Sequence, residues 1–141
     1  MMPKQPLQPQ PAPVITATAA QLFVSDIAAS CRFFTEKLGF SLVVFVHGEP
    51  PFYAQVRRGR GLLNLKHVDR PVIDPRLRDK EELLSADMTV ESREHIERLF
   101  REFTAADVPF FRTLRTEPWG ASTFIVRDPD GNLLLLAGPA E

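Results

Sequence analysis

Residues 83–103 read LLSADMTVESREHIERLFREF, and two periods follow one another within this stretch. Leu84, Ala86, Met88 and Val90 alternate with Ser85, Asp87 and Thr89, the two-residue repeat of a half-buried strand over 83–90. Ser92 then offers an N-cap oxygen, and Ile96, Leu99, Phe100 and Phe103 recur at helical spacing. Glu94 with Arg98 and Glu97 with Arg101 stand four apart on the wet side of that helix, pairs that are each expected to contribute roughly 0.2–0.5 kcal/mol. Strands are expected at 108–114, 121–126 and 132–137, with RDPDGN (127–132) as the turn between the last two. The order of this half is β-α-β-β-β.

Upstream the same order appears once already. Residues 14–24 (VITATAAQLFV) suit a strand, Ser25 and Asp26 an N-cap, and Ile27, Cys31, Phe34 and Leu38 the apolar stripe of a helix that stops at Gly39. Strands are expected at 41–46, 51–57 and 62–67. Phe33-Phe34 follow Val24 by the same interval that separates Leu99-Phe100 from Val90, so internal duplication is the simplest account. The fold class is α+β: one domain, 14–138, of two βαβββ modules (14–67 and 83–138) joined by a connector at 68–82. That connector mixes prolines with charges of both signs and is expected to be an exposed link. Residues 1–13, MMPKQPLQPQPAP, hold five of the thirteen prolines and are expected to form a disordered arm.

Composition narrows the function. A chain of 141 residues with net charge -1 has the size of one domain and lacks the clustered positive field that nucleic acid or an anionic membrane selects. No apolar run approaches the roughly 20 residues of a membrane span, and no secretory signal is legible, which makes the cytoplasm the expected compartment. The single cysteine, Cys31, rules out an intrachain disulfide and falls on a helix stripe, where core packing is expected. By strand parity, Ser85, Asp87 and Thr89, and equally Ala19, Gln21 and Phe23, fall on the sheet face away from the helices. A mid-strand Asp87 there suits either a solvated face or a ligand groove.

VSDIAASCRFFTEKLGF (24–40) and EPWGASTFIVRDPDGN (117–132), set in a duplicated βαβββ frame, resemble the signature segments of the vicinal oxygen chelate superfamily. That superfamily includes glyoxalases, extradiol dioxygenases and bleomycin-resistance proteins. The resemblance spans roughly 14–138 and implies curved mixed sheets with helices on their outer face. FYAQVRRG (52–59) is most similar to the bleomycin-resistance branch, which implies a homodimer whose interface grooves, lined by aromatic and acidic residues, sequester an amphipathic or cationic small molecule. The metal-holding relatives place their ligands at positions that fall here on Ala19, Asn64, Ser85 and Leu135. Two of these have no lone pair to give, and Asn64 and Ser85 are weak, uncharged donors. No metal or other cofactor and no catalytic residue is therefore expected. His47, His67 and His95 are read as surface or edge residues, and Arg57, Arg58 and Arg60 as a soluble turn.

The resemblance implies ligand contact for Trp119, in a Pro-Trp-Gly turn, and for Tyr53 and Phe45. Covering the core, or packing at a dimer interface, stays open for all three. Asp87 and Glu117 are the candidate anions, with Asn64 and Ser85 as polar contacts. The alternative is a lyase or isomerase of the same superfamily with displaced or absent metal ligands.

Overall fold

A computed structural model describes residue 3 and residues 7–140. The elements are β1 (Ala19–Val24), α1 (Ile27–Arg32), β2 (Ser41–Val46), β3 (Tyr53–Arg58), β4 (Gly61–His67), α2 (Pro75–Glu81), β5 (Leu84–Thr89), α3 (Arg93–Ala105), β6 (Phe110–Thr116), β7 (Ser122–Arg127) and β8 (Leu133–Gly138). They form two mixed four-stranded sheets of one topology, β1-β4-β3-β2 and β5-β8-β7-β6. In each, the first strand runs parallel to the last and the remaining pairs are antiparallel. A parallel pair cannot be closed by a tight turn, so the chain crosses over through a helix before it returns. This is the expected α+β duplication.

The caps named from sequence are made. Asp26 accepts from the Ala29 amide at 3.0 Å and Ser92 from the His95 amide at 3.2 Å. After Arg32 the first helix widens into a π-helical turn over Phe33–Lys37, and the Thr35 hydroxyl donates to the Cys31 carbonyl at 2.8 Å. The stripe Ile27, Cys31, Phe34 and Leu38 is buried against Leu22, Val24, Val56 and Leu65, and Ile96, Leu99 and Phe103 are buried against Phe124, Leu134 and Leu136, all in one continuous core. Phe100, Phe103 and Phe110 surround Phe124 with ring centroids 5.4, 5.9 and 5.7 Å away, the offset and edge-on spacing aromatic rings prefer. Cys31 lies in this core, where burial pushes its thiol pKa up.

Two expectations are corrected and one is extended. The first strand starts at Ala19, not at Val14, because its ladder opens at Ala19 opposite Leu62 and residues 14–18 run past the β3–β4 turn. The connector is exposed over most of its length and in addition carries a helix: Asp74 caps α2, accepting from the Arg76 amide at 2.9 Å, with Pro75 at the first helical position. The Glu94–Arg98 and Glu97–Arg101 pairs are not among the ion pairs formed by the described residues, as befits exposed pairs of such small net worth. Of the Pro/Gln-rich arm at 1–13, residues 1, 2 and 4–6 lie outside the described residues. Pro3 and residues 7–13 are exposed and belong to neither helix nor strand.

The two modules meet along β1 and β5. At one end of that seam the Ser25 amide donates to Asp130 Oδ1 at 2.9 Å and Asn132 Nδ2 donates to the Phe23 carbonyl at 3.2 Å. On the helical side Lys37 Nζ donates to the Ala106 carbonyl at 2.9 Å, and Arg58 pairs with Glu102. The connector is anchored to the same β7–β8 turn. Arg78, buried at 8% exposure, lies against Gly131, where an added Cβ would come 2.5 Å from its Nη2. Gly131 also holds φ +83°, which L side chains rarely adopt. Gly131→Ala should therefore lower stability by about 1–3 kcal/mol in urea denaturation. In Arg78→Ala/Gly131→Ala the combined loss should be smaller than the sum of the single losses, since the clash disappears with the guanidinium.

Candidate functional site

With Leu22, Val24, Val56, Leu63 and Leu65 turned toward the helices, the alternate residues of the same strands form an open face. Register aligns them in rows. Gln21, Asn64 and Gln55 stand side by side on β1, β4 and β3, and Gln55 Nε2 donates to Asn64 Oδ1 at 2.8 Å. The next row holds Phe23, Lys66 and Tyr53. In the second module Asp87, Leu135, Ile125 and Arg112 make one row and Thr89, Ala137, Thr123 and Arg115 the next. The face is thus an aromatic and amide surface with one exposed lysine, Lys66, in one half and an arginine-bearing one in the other.

Of the residues singled out from sequence, Tyr53, Asn64 and Asp87 are on this face. Phe45 is not. A register shift between Leu42 and Val44 pairs Phe45 with Ala54, turning its ring toward the helices, where it packs on the core 4.7 Å from the His47 ring. Trp119 is 70% exposed in the turn between β6 and β7. Ser85 sits where the register of β5 shifts between Leu84 and Ala86, and its hydroxyl donates to Asn132 Oδ1 at 3.3 Å.

Glu117 is the largest departure from expectation. It is buried, accepting from Arg115 Nε at 2.9 Å and from the Thr123 hydroxyl at 2.7 Å, with Arg112 Nη2 at 3.4 Å. These partners, Arg115 first, hold its carboxyl below the usual glutamate range. Its charge is consumed inside the protein, so it adds no negative field for a ligand. Asp87 remains an exposed carboxylate on the open face.

At the four positions where the metal-holding relatives place ligands, the residues do not fit a metal. Ala19 and Leu135 offer no donor atom, the Asn64 oxygen is engaged by Gln55, and the Ser85 hydroxyl by Asn132. The histidines stand apart. His67 faces away from Asn64 and lies 3.1 Å from Asp69, His47 stacks near Phe45, and His95 sits 3.1 Å from Ser92 at the start of α3. No three His, Cys, Asp or Glu side chains among the described residues gather where they could hold a metal ion.

A cleft of about 310 Å³ opens on this side between β1, the connector and the start of β5. Gln21, Phe23 and Ser85 line its sheet wall, Val72, Ile73 and Arg78 its connector wall. Strand parity in the sequence already puts Gln21 and Ser85 on this side, but Gln55, the hydrogen-bond partner of Asn64, and the connector wall were not singled out. Strand parity carried the signal for Gln55 as well. Nothing local indicated that the connector folds back over the sheet.

The sequence profile described as Glyoxalase/Bleomycin resistance protein/Dioxygenase superfamily matches residues 15–136. Among curated proteins, no sequence matches the chain. Among solved structures, the fold is similar to that of TioX from Micromonospora sp. ML1, with TM-score 0.68 and 18% identity over 87% of this chain and 98% of that one. It is similar as well to the bleomycin-binding protein from bleomycin-producing Streptomyces verticillus, solved with copper(II)-bleomycin: TM-score 0.64, 21% identity, 89% of this chain and 98% of that one. Lactoylglutathione lyase from Agrobacterium tumefaciens gives TM-score 0.65 and 16% identity, over 90% and 93% of the two chains. At such identities the likeness is one of fold.

Asn132, which bridges Ser85 to the Phe23 carbonyl, is itself held by Asp128. The Asp128 carboxylate accepts from the Asn132 amide at 2.7 Å, from the Asp130 amide at 2.9 Å and from Asn132 Nδ2 at 2.9 Å. Burial outweighs these bonds and pushes its pKa up to about 6. A folded-state pKa above the unfolded one means that the native state holds the proton more tightly, so its stabilising effect is present below about pH 4 and lost as the pH rises through about 6. Urea denaturation of the wild type and Asp128→Asn should therefore show the wild type losing about 2–3 kcal/mol relative to the variant between about pH 4 and pH 7. A constant difference between them across that range would show that Asp128 does not titrate there.

Proposed function

The chain belongs to the glyoxalase/bleomycin resistance protein/dioxygenase superfamily, and from that premise we propose that it is a metal-independent binding protein that sequesters an amphipathic small molecule on its open sheet face. The observation that carries this reading is the row Gln21, Asn64 and Gln55. Where a metal-holding relative would present an ionic ligand, this chain presents side-chain amides, each able to donate and to accept. Phe23 and Tyr53 flank the row and offer ring surface to the apolar part of a ligand.

A homodimer that covers the open face of one chain would remove more of a ligand from water. With Glu117 neutralised, a cationic ligand would have Asp87 to meet its charge. This favours amphipathic over strongly cationic chemistry. The lyase or isomerase alternative has no donor set at the four positions to build on, and no observation favours it.

Isothermal titration of metal-stripped protein with Mn²⁺, Ni²⁺ and Zn²⁺ should show no one-to-one binding. Titration with metal-free bleomycin, the glycopeptide probe suggested by the Streptomyces verticillus protein, should saturate, and Asn64→Ala should weaken it about tenfold without changing the fold. Tight one-to-one uptake of any of the three ions overturns the metal-independent reading. A wild-type protein that ignores bleomycin excludes that glycopeptide class.

A further inference from the structure

A second, larger groove of about 1220 Å³ opens at one end of the seam between the modules, reaching from the helical side to Asp87 and Thr89 at the edge of the open face. It separates α3 from the β3–β4 turn and runs along the ends of β1 and β5 where the two modules meet. Its floor is core: Leu63, Leu99, Phe103 and Leu136 are all buried yet reach its surface. Its rim is cationic. Arg58 and Arg60 come from the turn, Arg98 and Arg101 from one side of α3.

The charges on this rim do not cancel. Arg58 is committed to Glu102, with Nη2 3.1 Å from Oε1. Among the described residues, Arg60, Arg98 and Arg101 have no carboxylate within 4.0 Å, although Arg98 and Arg101 each stand four residues after a glutamate that could have paired with them. Opposing them in the groove are Asp87 and Glu91, and Glu91 lies 3.8 Å from the His95 ring. Gly59 makes the presentation possible: at φ +56° it closes the turn tightly, and an added Cβ there would meet nothing within 4 Å. Arg60 is thereby exposed at the rim with open space beside it.

An apolar floor beneath three unpaired guanidiniums matches one chemistry: an apolar body carrying a carboxylate or phosphate. We propose that this groove is a second binding site, separate from the amide row, for an amphipathic anion whose oxyanion is held by Arg60, Arg98 and Arg101 while its apolar part lies on Leu63, Leu99 and Phe103. A carboxylate and a phosphate monoester would both satisfy the fork geometry of the guanidiniums, and the test separates them.

Isothermal titration of the full chain with decanoate, decyl phosphate and uncharged decyl maltoside, each below its critical micelle concentration, reads the site directly. At least one anion should bind saturably, the better of the two identifying the head group, while the maltoside binds at least about tenfold more weakly. Arg98→Gln/Arg101→Gln, both exposed on α3 and outside the core, should weaken the anion at least about tenfold, as should raising the salt from about 0.05 M to about 0.5 M. Asn64→Ala, outside this groove, should leave anion binding unchanged while weakening bleomycin, so failure here and failure of the open-face reading are distinguishable. The proposal is overturned if neither anion binds, if the maltoside binds as tightly as the anions, or if the double variant binds them as the wild type does.

Discussion

Everything in this fold follows from the parallel pairing of the first and last strands of each module. β1 lies beside β4 and β5 beside β8, both pairs parallel, and a parallel pair needs a crossover that a hairpin cannot supply. The crossover starts as a helix in both halves, and its apolar stripe covers one sheet face. The other face is left without a crossover helix: it is open in the first module, while in the second the connector with α2 folds over part of it and Ile125, Thr123 and Leu133 are buried. Function in such a molecule is free to collect there, and the rows of aligned side chains show how regular that free surface is.

The seam between modules is built differently from the modules themselves. Within each sheet, backbone ladders dominate. Across the seam at the Ser25 and Phe23 end, side chains of one β-turn reach the backbone of β1: Asp130 takes the Ser25 amide and Asn132 bonds the Phe23 carbonyl. The same turn seats Arg78 of the connector and depends on the buried Asp128. One six-residue turn therefore joins three parts of the chain. At the other end of the seam, among the described residues, no equivalent turn closes the gap, and the arginine-rimmed groove lies there.

Charge is distributed with the same asymmetry. Glu117 is shielded by Arg112 and Arg115, and Asp79 is bound by Arg127, whose hydrogen bond lowers its pKa. These pairs neutralise most of the second module's open face. Arg60, Arg98 and Arg101 keep exposed guanidiniums on the helical side. The two faces of one sheet system thus offer different chemistries, amide and aromatic on one, cationic over apolar on the other.

The sequence by itself determined the duplication, the element order within each module, the caps at Asp26 and Ser92, and which residues of β1, and of β5 from Ala86 onward, face the helices; the register shift after Leu84 turns that residue to the other face. These depend on local periodicity and on short-range hydrogen bonds, which are written into neighbouring residues. It also marked Ala19, Asn64, Ser85 and Leu135 as unfit for a metal, because donor chemistry is a property of residue type. Only the tertiary structure decided that Phe45 turns to the core, since a shift of register is settled by the partner strand. Only it placed α2 against the β7–β8 turn, buried Glu117 between two arginines, and left Arg98 and Arg101 facing a groove instead of their helical neighbours. Each of those outcomes is a choice among long-range partners of similar local energy, and only the packed whole selects between them.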